Sequence, residues 1–189
     1  MLIATIATIV MAQAPAPLSC PVMGSPIKGK GSGSYDYNGA RYTMCCAGCN
    51  GSFEKSADKF VKQAVEKKWT IGTFLYDPTT GVKIETKDAK GTSDFAGLRY
   101  HFASVEAKKS FDANPKKFAA QPKKEALWCP VMNHGIADYA NAGAYVDQGD
   151  TRYYLCCGGC LGKMKEKPAE YMSKVASKVT APKVLAVKG

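Results

Sequence analysis

The chain has 189 residues, 46% of them hydrophobic, and a formal net charge of +10. That hydrophobic share excludes wholesale disorder, and the length admits one ordinary domain or several small ones. Only three of the 26 basic residues are Arg, and the Lys are scattered or paired, as in Lys108-Lys109 and Lys116-Lys117. This argues against a nucleic-acid partner, whose binders gather Arg and aromatics on one face.

Met1 to Met11 form an apolar run too short to span a membrane as a helix. Small residues follow, Val10-Met11-Ala12 suits signal-peptidase cleavage, and Pro15-Ala16-Pro17 reads as an extended linker. Residues 1–14 are therefore expected to be a signal peptide and the start of a linker, which makes the protein periplasmic or secreted. The run lacks a basic residue at its start, so an ordinary buried segment is the alternative. No later stretch approaches membrane-spanning length, so no transmembrane segment is expected in the mature chain.

Self-comparison organises the rest. Gly39 to Cys49, with Arg41-Tyr42 and Cys45-Cys46-Ala47-Gly48-Cys49, matches Asp150 to Cys160, with Arg152-Tyr153 and Cys156-Cys157-Gly158-Gly159-Cys160. A middle segment, Gly97 to Ala107, keeps Arg99-Tyr100 and has no cysteine. All three Arg fall at one repeat position. Upstream, Cys20-Pro21-Val22-Met23 matches Cys129-Pro130-Val131-Met132, with Asp77-Pro78 in the middle copy. Downstream, Phe53, Phe111 and Met164 correspond, and seven residues later so do Phe60, Phe118 and Tyr171. Seven residues are two helical turns, so each pair shares a helix face.

Each copy then reads as a Cys-Pro knuckle, a Gly-rich turn with a hairpin, and a short amphipathic helix opened by the cysteine cluster. The first helix is expected over about residues 49–68. Asn114-Pro115 and Lys167-Pro168 should break the later two. The fold class is α+β, with tandem small hairpin-plus-helix modules at residues 18–68, 70–122 and 126–178, the middle one degenerate.

The eight cysteines form two sets, Cys20, Cys45, Cys46, Cys49 and Cys129, Cys156, Cys157, Cys160. One distant cysteine plus a cluster at a helix start is zinc-finger-like spacing. The helix N-terminus, aided by nearby Lys and Arg, should favour thiolate, the form that binds metal. A disulfide framework, through Cys20–Cys49 or Cys129–Cys160, is the alternative for an exported chain. The middle copy has Asp77, Ala103, Ser104 and Ala107 at these places, so it loses every thiol together.

On these residues the sequence resembles the YHS and TRASH group of metal-binding domains. The carrying segments are Cys20 to Gly24, Asn38 to Cys49 with Phe53 and Phe60, Cys129 to Met132, Tyr153 to Cys160, and Phe111 to Phe118. The resemblance implies a treble-clef-like fold, metal sensing, trafficking or resistance, and ligands at Cys20, Cys45, Cys49 and at Cys129, Cys156, Cys160. Family members often carry Ser where this chain has Cys46 and Cys157, which makes those two the less certain fourth ligands.

Among weaker candidates, His134 follows Cys129 by five residues but is matched by Ser25 in the first copy. His101 sits in the copy without thiols and reads as structural. Met23 and Met132 are soft donors or, more commonly, packing residues. Tyr42, Tyr100 and Tyr153 read as hairpin core. No nucleophile–base pair stands out, so no enzyme activity is expected. The expected function is binding of two zinc or copper(I) ions for metal handling or sensing outside the cytoplasm, with a metal-transport or metal-resistance protein as a candidate partner. The alternatives are a structural-zinc module for protein–protein interaction and a thiol redox protein using disulfides.

Overall fold

The structure is a computed structural model that describes residues 15–187; the expected signal peptide at residues 1–14 lies outside the described residues. Two short strands, β1 (Gly33–Tyr37) and β2 (Ala40–Met44), form an antiparallel hairpin that leads into helix α1 (Ala47–Lys67). After β3 (Gly72–Phe74), the hairpin of β4 (Gly91–Phe95) and β5 (Leu98–Phe102) leads into α2 (Val105–Ala113) and α3 (Pro115–Phe118). Then come β6 (Lys124–Ala126), β7 (Trp128–Cys129) and β8 (His134–Gly135). The hairpin of β9 (Ala144–Gln148) and β10 (Thr151–Leu155) leads into α4 (Gly159–Glu166) and α5 (Pro168–Lys174), and β11 (Leu185–Ala186) follows. The architecture is mixed α+β, as expected.

The hairpins close where the sequence offers left-handed residues. Asn38-Gly39 and Ala96-Gly97 all take positive φ, as a two-residue hairpin turn requires. Within each hairpin an Asp lies opposite the Arg: Asp36 pairs with Arg41, Asp94 with Arg99 and Asp147 with Arg152. Each guanidinium donates through Nε and Nη2 to both carboxylate oxygens at 2.7–2.9 Å. The shared Arg position thus reflects a two-point clamp that pins the register of two short strands.

The helices break at corresponding places. Asn114 and Lys167, each before a Pro, have φ/ψ of −151/72 and −134/57. Ser56 interrupts α1 with nearly the same values, −149/42, although Ala57 follows it. The expected continuous first helix is therefore two segments. The bend still lets Phe53 and Phe60 approach to 6.4 Å between centroids, as Phe111 and Phe118 do at 6.3 Å.

The three stretches do not stand apart. A six-stranded sheet runs β11-β1-β2-β3-β5-β4, so β3 joins the first hairpin to the second, antiparallel to β2 and parallel to β5. A second sheet runs β6-β10-β9, and β7 pairs with β8. Where the hairpins meet, Phe74, Tyr76, Tyr139, Tyr145 and Tyr154 form a chain of rings 5.2–6.0 Å apart. Arg152, fully buried, lies over Tyr145 at 4.2 Å and donates to the carbonyls of Asn38 and Ala120. Sharing one aromatic core compensates for the small apolar surface each 50-residue stretch can bury alone.

Candidate metal centres

Each cysteine set is assembled from a knuckle and a helix start. In the knuckle, the Gly24 N–H donates to the Cys20 carbonyl, closing a turn that needs the positive φ of Gly24. A Cβ there would also lie 2.4 Å from the Trp69 ring. Asn133, likewise at positive φ, closes the same turn onto Cys129, its side chain held by the Trp128 indole N–H. Gly81 closes it onto Asp77.

The second β-strand of each hairpin then delivers the clustered thiols. Met44 and Leu155, fully buried, anchor β2 and β10 just before Cys45 and Cys156. The chain turns sharply there; a Cβ on Gly143 would meet the Cys157 backbone at 2.6 Å, so only glycine admits that approach. Cys46 is the N-terminal cap residue of α1, and Cys49 lies in the helix's first turn.

The structure brings Cys20, Cys45 and Cys49 together, and likewise Cys129, Cys156 and Cys160, with the sulfurs of each trio within 4.8 Å of one another. Either trio could hold a metal ion. The fourth thiol of each set touches its trio from outside: Cys46 Sγ is 3.3 Å from Cys49 Sγ, and Cys157 Sγ is 3.6 Å from Cys160 Sγ. The other close pairs are Cys45–Cys49 at 3.9 Å, Cys129–Cys160 at 3.8 Å and Cys156–Cys160 at 3.8 Å. All eight are free thiols. Cys20, Cys49, Cys129 and Cys160 are buried, Cys45 and Cys156 half-buried, Cys46 and Cys157 exposed.

The electrostatics alternate within each set. Burial alone would push the Cys20 thiol up, but the backbone N–H groups of Cys45, Met23 and Val22 outweigh it and hold it below its usual value. Cys129 is lowered in the same way by Cys156, Met132 and Val131. Cys46 and Cys157 are lowered by hydrogen bonds from Cys49 and Cys160. Burial then drives Cys49 and Cys160 up, reinforced by the neighbouring thiols. Cys45 is also raised, chiefly by its hydrogen bond to Cys20, and Cys156 chiefly by burial. The expected help from nearby Lys and Arg is not among these causes: backbone amides and neighbouring thiols set the pattern. Four crowded thiols share limited negative charge until a cation compensates it.

The weaker candidates fall out of the sites. His134 is exposed, with Nδ1 against the Gly135 carbonyl, and belongs to neither cysteine group. His101 is buried on β5. Tyr42, Tyr100 and Tyr153 are buried in the core. Met23 and Met132 do not pack: they are 62% and 58% exposed.

The middle stretch has a residue that the sequence reading passed over as a mere replacement. Asp77, buried where Cys20 stands in the first stretch, accepts from the Ala103 N–H at 2.9 Å and from the Thr79 N–H at 2.9 Å. Ala103 corresponds to Cys45 and Thr79 to Val22, whose N–H groups face the Cys20 thiol. A carboxylate there fills the amide nest that the Cys20 and Cys129 sulfurs fill elsewhere. The paired Asp36, Asp94 and Asp147 were also missed, although an Asp five residues before each Arg was visible.

No helix among the described residues is long and apolar enough to cross a membrane. In comparisons with protein-family models, curated proteins and solved structures, nothing matches this chain.

Proposed function

We propose that this is a non-enzymatic metal-handling protein of the YHS and TRASH type, with three copies of one treble-clef-like module, working in the periplasm or outside the cell. Two modules each hold one zinc or copper(I) ion, through Cys20, Cys45, Cys46 and Cys49 and through Cys129, Cys156, Cys157 and Cys160. The middle module keeps the hairpin and helix and uses Asp77 in place of thiolate and metal.

The observation that carries this reading is the spacing of the sulfurs. A tetrahedral ion with metal–sulfur bonds of about 2.3 Å sets sulfur–sulfur edges of about 3.8 Å. Two thiol pairs of the first set lie at 3.3 and 3.9 Å and three of the second at 3.6–3.8 Å, and all sulfurs of each trio lie within 4.8 Å of one another. A disulfide bond, by contrast, needs about 2.05 Å. The donor set fits a soft or borderline ion, and the amides around Cys20 and Cys129 stabilise the anionic ligand it requires.

Titration of the reduced full chain with zinc or copper(I), against a chromogenic chelator, tests the proposal. Two tightly bound ions per chain are expected. Cys45→Ser or Cys49→Ser should abolish one site, and Cys46→Ser should weaken it. Saturation at no ion, or affinity unchanged in every cysteine variant, would return the thiols to a redox or disulfide role.

A further inference from the structure

We infer that metal enters and leaves each centre through Cys46 and Cys157, by ligand exchange with the thiolate of an anionic carrier. The inference rests on the metal-binding reading above and specifies how the same sites work.

In both centres three thiols are buried or half-buried and one is exposed, and the exposed one, Cys46 or Cys157, lies one residue before α1 and two residues before α4. The surroundings of that thiol are open. A Cβ added at Gly48 or Gly51 on α1, or at Gly158 or Gly162 beside and on α4, would meet nothing within 4 Å. A Cβ at Gly159 would meet only the Cys157 sulfur, at 3.7 Å. An incoming sulfur can therefore reach the ion along this side without displacing protein atoms. Cys20 and Cys49, like Cys129 and Cys160, are buried and offer no such approach. The neighbouring Met23 and Met132 expose their soft thioethers at the same sequence position in both knuckles.

Charge selects the carrier. The first turns of α1 and α4 hold no acidic residue, and the chain carries a net charge of +10. Both draw an anionic thiolate toward the opening. In the exchange the incoming sulfur bonds the ion as the Cys46 sulfur leaves it. No electron moves, and the released Cys46 thiolate takes a proton from solvent. The three remaining thiolates hold the ion until the carrier withdraws it.

The test follows zinc leaving the loaded full chain for a chromogenic chelator, with glutathione as the anionic thiol at rising concentration. The release rate should climb with glutathione. The variant Gly159→Leu sets a side chain beside the Cys157 sulfur, where an added Cβ lies 3.7 Å away. It should still bind two ions but release the one at the second centre at least about fivefold more slowly, with the first centre as the internal reference. Circular dichroism of the variant checks its fold. A release rate indifferent to glutathione, or a shielded variant that releases as fast as the native chain, overturns the inference and leaves the metal sites standing. A native chain that binds no zinc overturns the metal reading, and the exchange route with it.

Discussion

At the scale of single residues, Asp77 shows what the knuckle demands. Its carboxylate accepts the Thr79 and Ala103 N–H groups and the Thr79 hydroxyl, all in a buried setting. Replacing one carboxylate oxygen with an amide nitrogen sets N–H against N–H. Asp77→Asn should therefore cost about 1–3 kcal/mol, measured by urea denaturation. The same geometry predicts that a thiol site can be built in the middle stretch. On the proposed function, which expects two ions in the native chain, the triple variant Asp77→Cys, Ala103→Cys, Ala107→Cys should bind a third zinc ion, read by titration under reducing conditions. A capacity that stays at two would show that the middle nest holds its shape only for a carboxylate.

At the scale of elements, the helix breaks are informative because one of them has no proline. Ser56 leaves helical geometry just where Asn114 and Lys167 do, so the cause is not local sequence. The ring before the bend lies against the sheet, Phe53 on Tyr42 and Phe111 on Tyr100, each at 4.9 Å, and the bend lets the ring after it, Phe60 or Phe118, lie at 6.4 or 6.3 Å from the first. Packing imposes it, and proline merely suits it. A proline inside an ordinary helix costs about 3 kcal/mol. Ala57→Pro, the counterpart of Pro115 and Pro168, should cost under about 1 kcal/mol, because Ala57 already starts a new helical segment. A thermal shift as large as that of a mid-helix proline such as Gln63→Pro would refute this account.

At the scale of the whole molecule, two buried ionic groups tie the stretches together. Arg152 joins Asp147 to the carbonyls of Asn38 and Ala120 with no exposed surface of its own. Arg152→Met removes the cation and leaves those acceptors unpaired. It should destabilise the protein by about 3–5 kcal/mol in a single unfolding transition that includes all three hairpins. Glu125 anchors the C-terminal segment, which returns from the third stretch to the first. Its Oε1 accepts from the Tyr139 hydroxyl at 2.6 Å and from the Lys183 N–H at 3.1 Å, its backbone pairs with Thr180, and β11 then extends the sheet beside β1. Burial pushes the Glu125 carboxyl up to about 7, against partial relief from Tyr139 and Lys183. The unfolded chain gives up this proton near pH 4.5, the folded one near 7. The stabilising contribution is thus complete below about pH 4.5 and lost as pH rises to about 7, on the order of 3 kcal/mol. Glu125→Gln should flatten that slope in melting temperatures measured across the window.

The sequence alone determined the features that repeat at fixed spacing: two four-cysteine sets, one Arg per hairpin, a Cys-Pro or Asp-Pro knuckle, and the helix breaks at Asn114-Pro115 and Lys167-Pro168. These are local signals, carried by residues that act within a turn or two of their own position. Only the tertiary structure decided that β3 fuses the first two hairpins into one sheet, that Arg152 is buried while Arg41 stays partly exposed, and that Cys46 and Cys157 face solvent while Cys49 and Cys160 do not. The three Arg stand at one repeat position, and their neighbours across the fold set them apart. Burial and strand pairing depend on which distant surfaces meet, and a spacing pattern within one stretch carries no record of that.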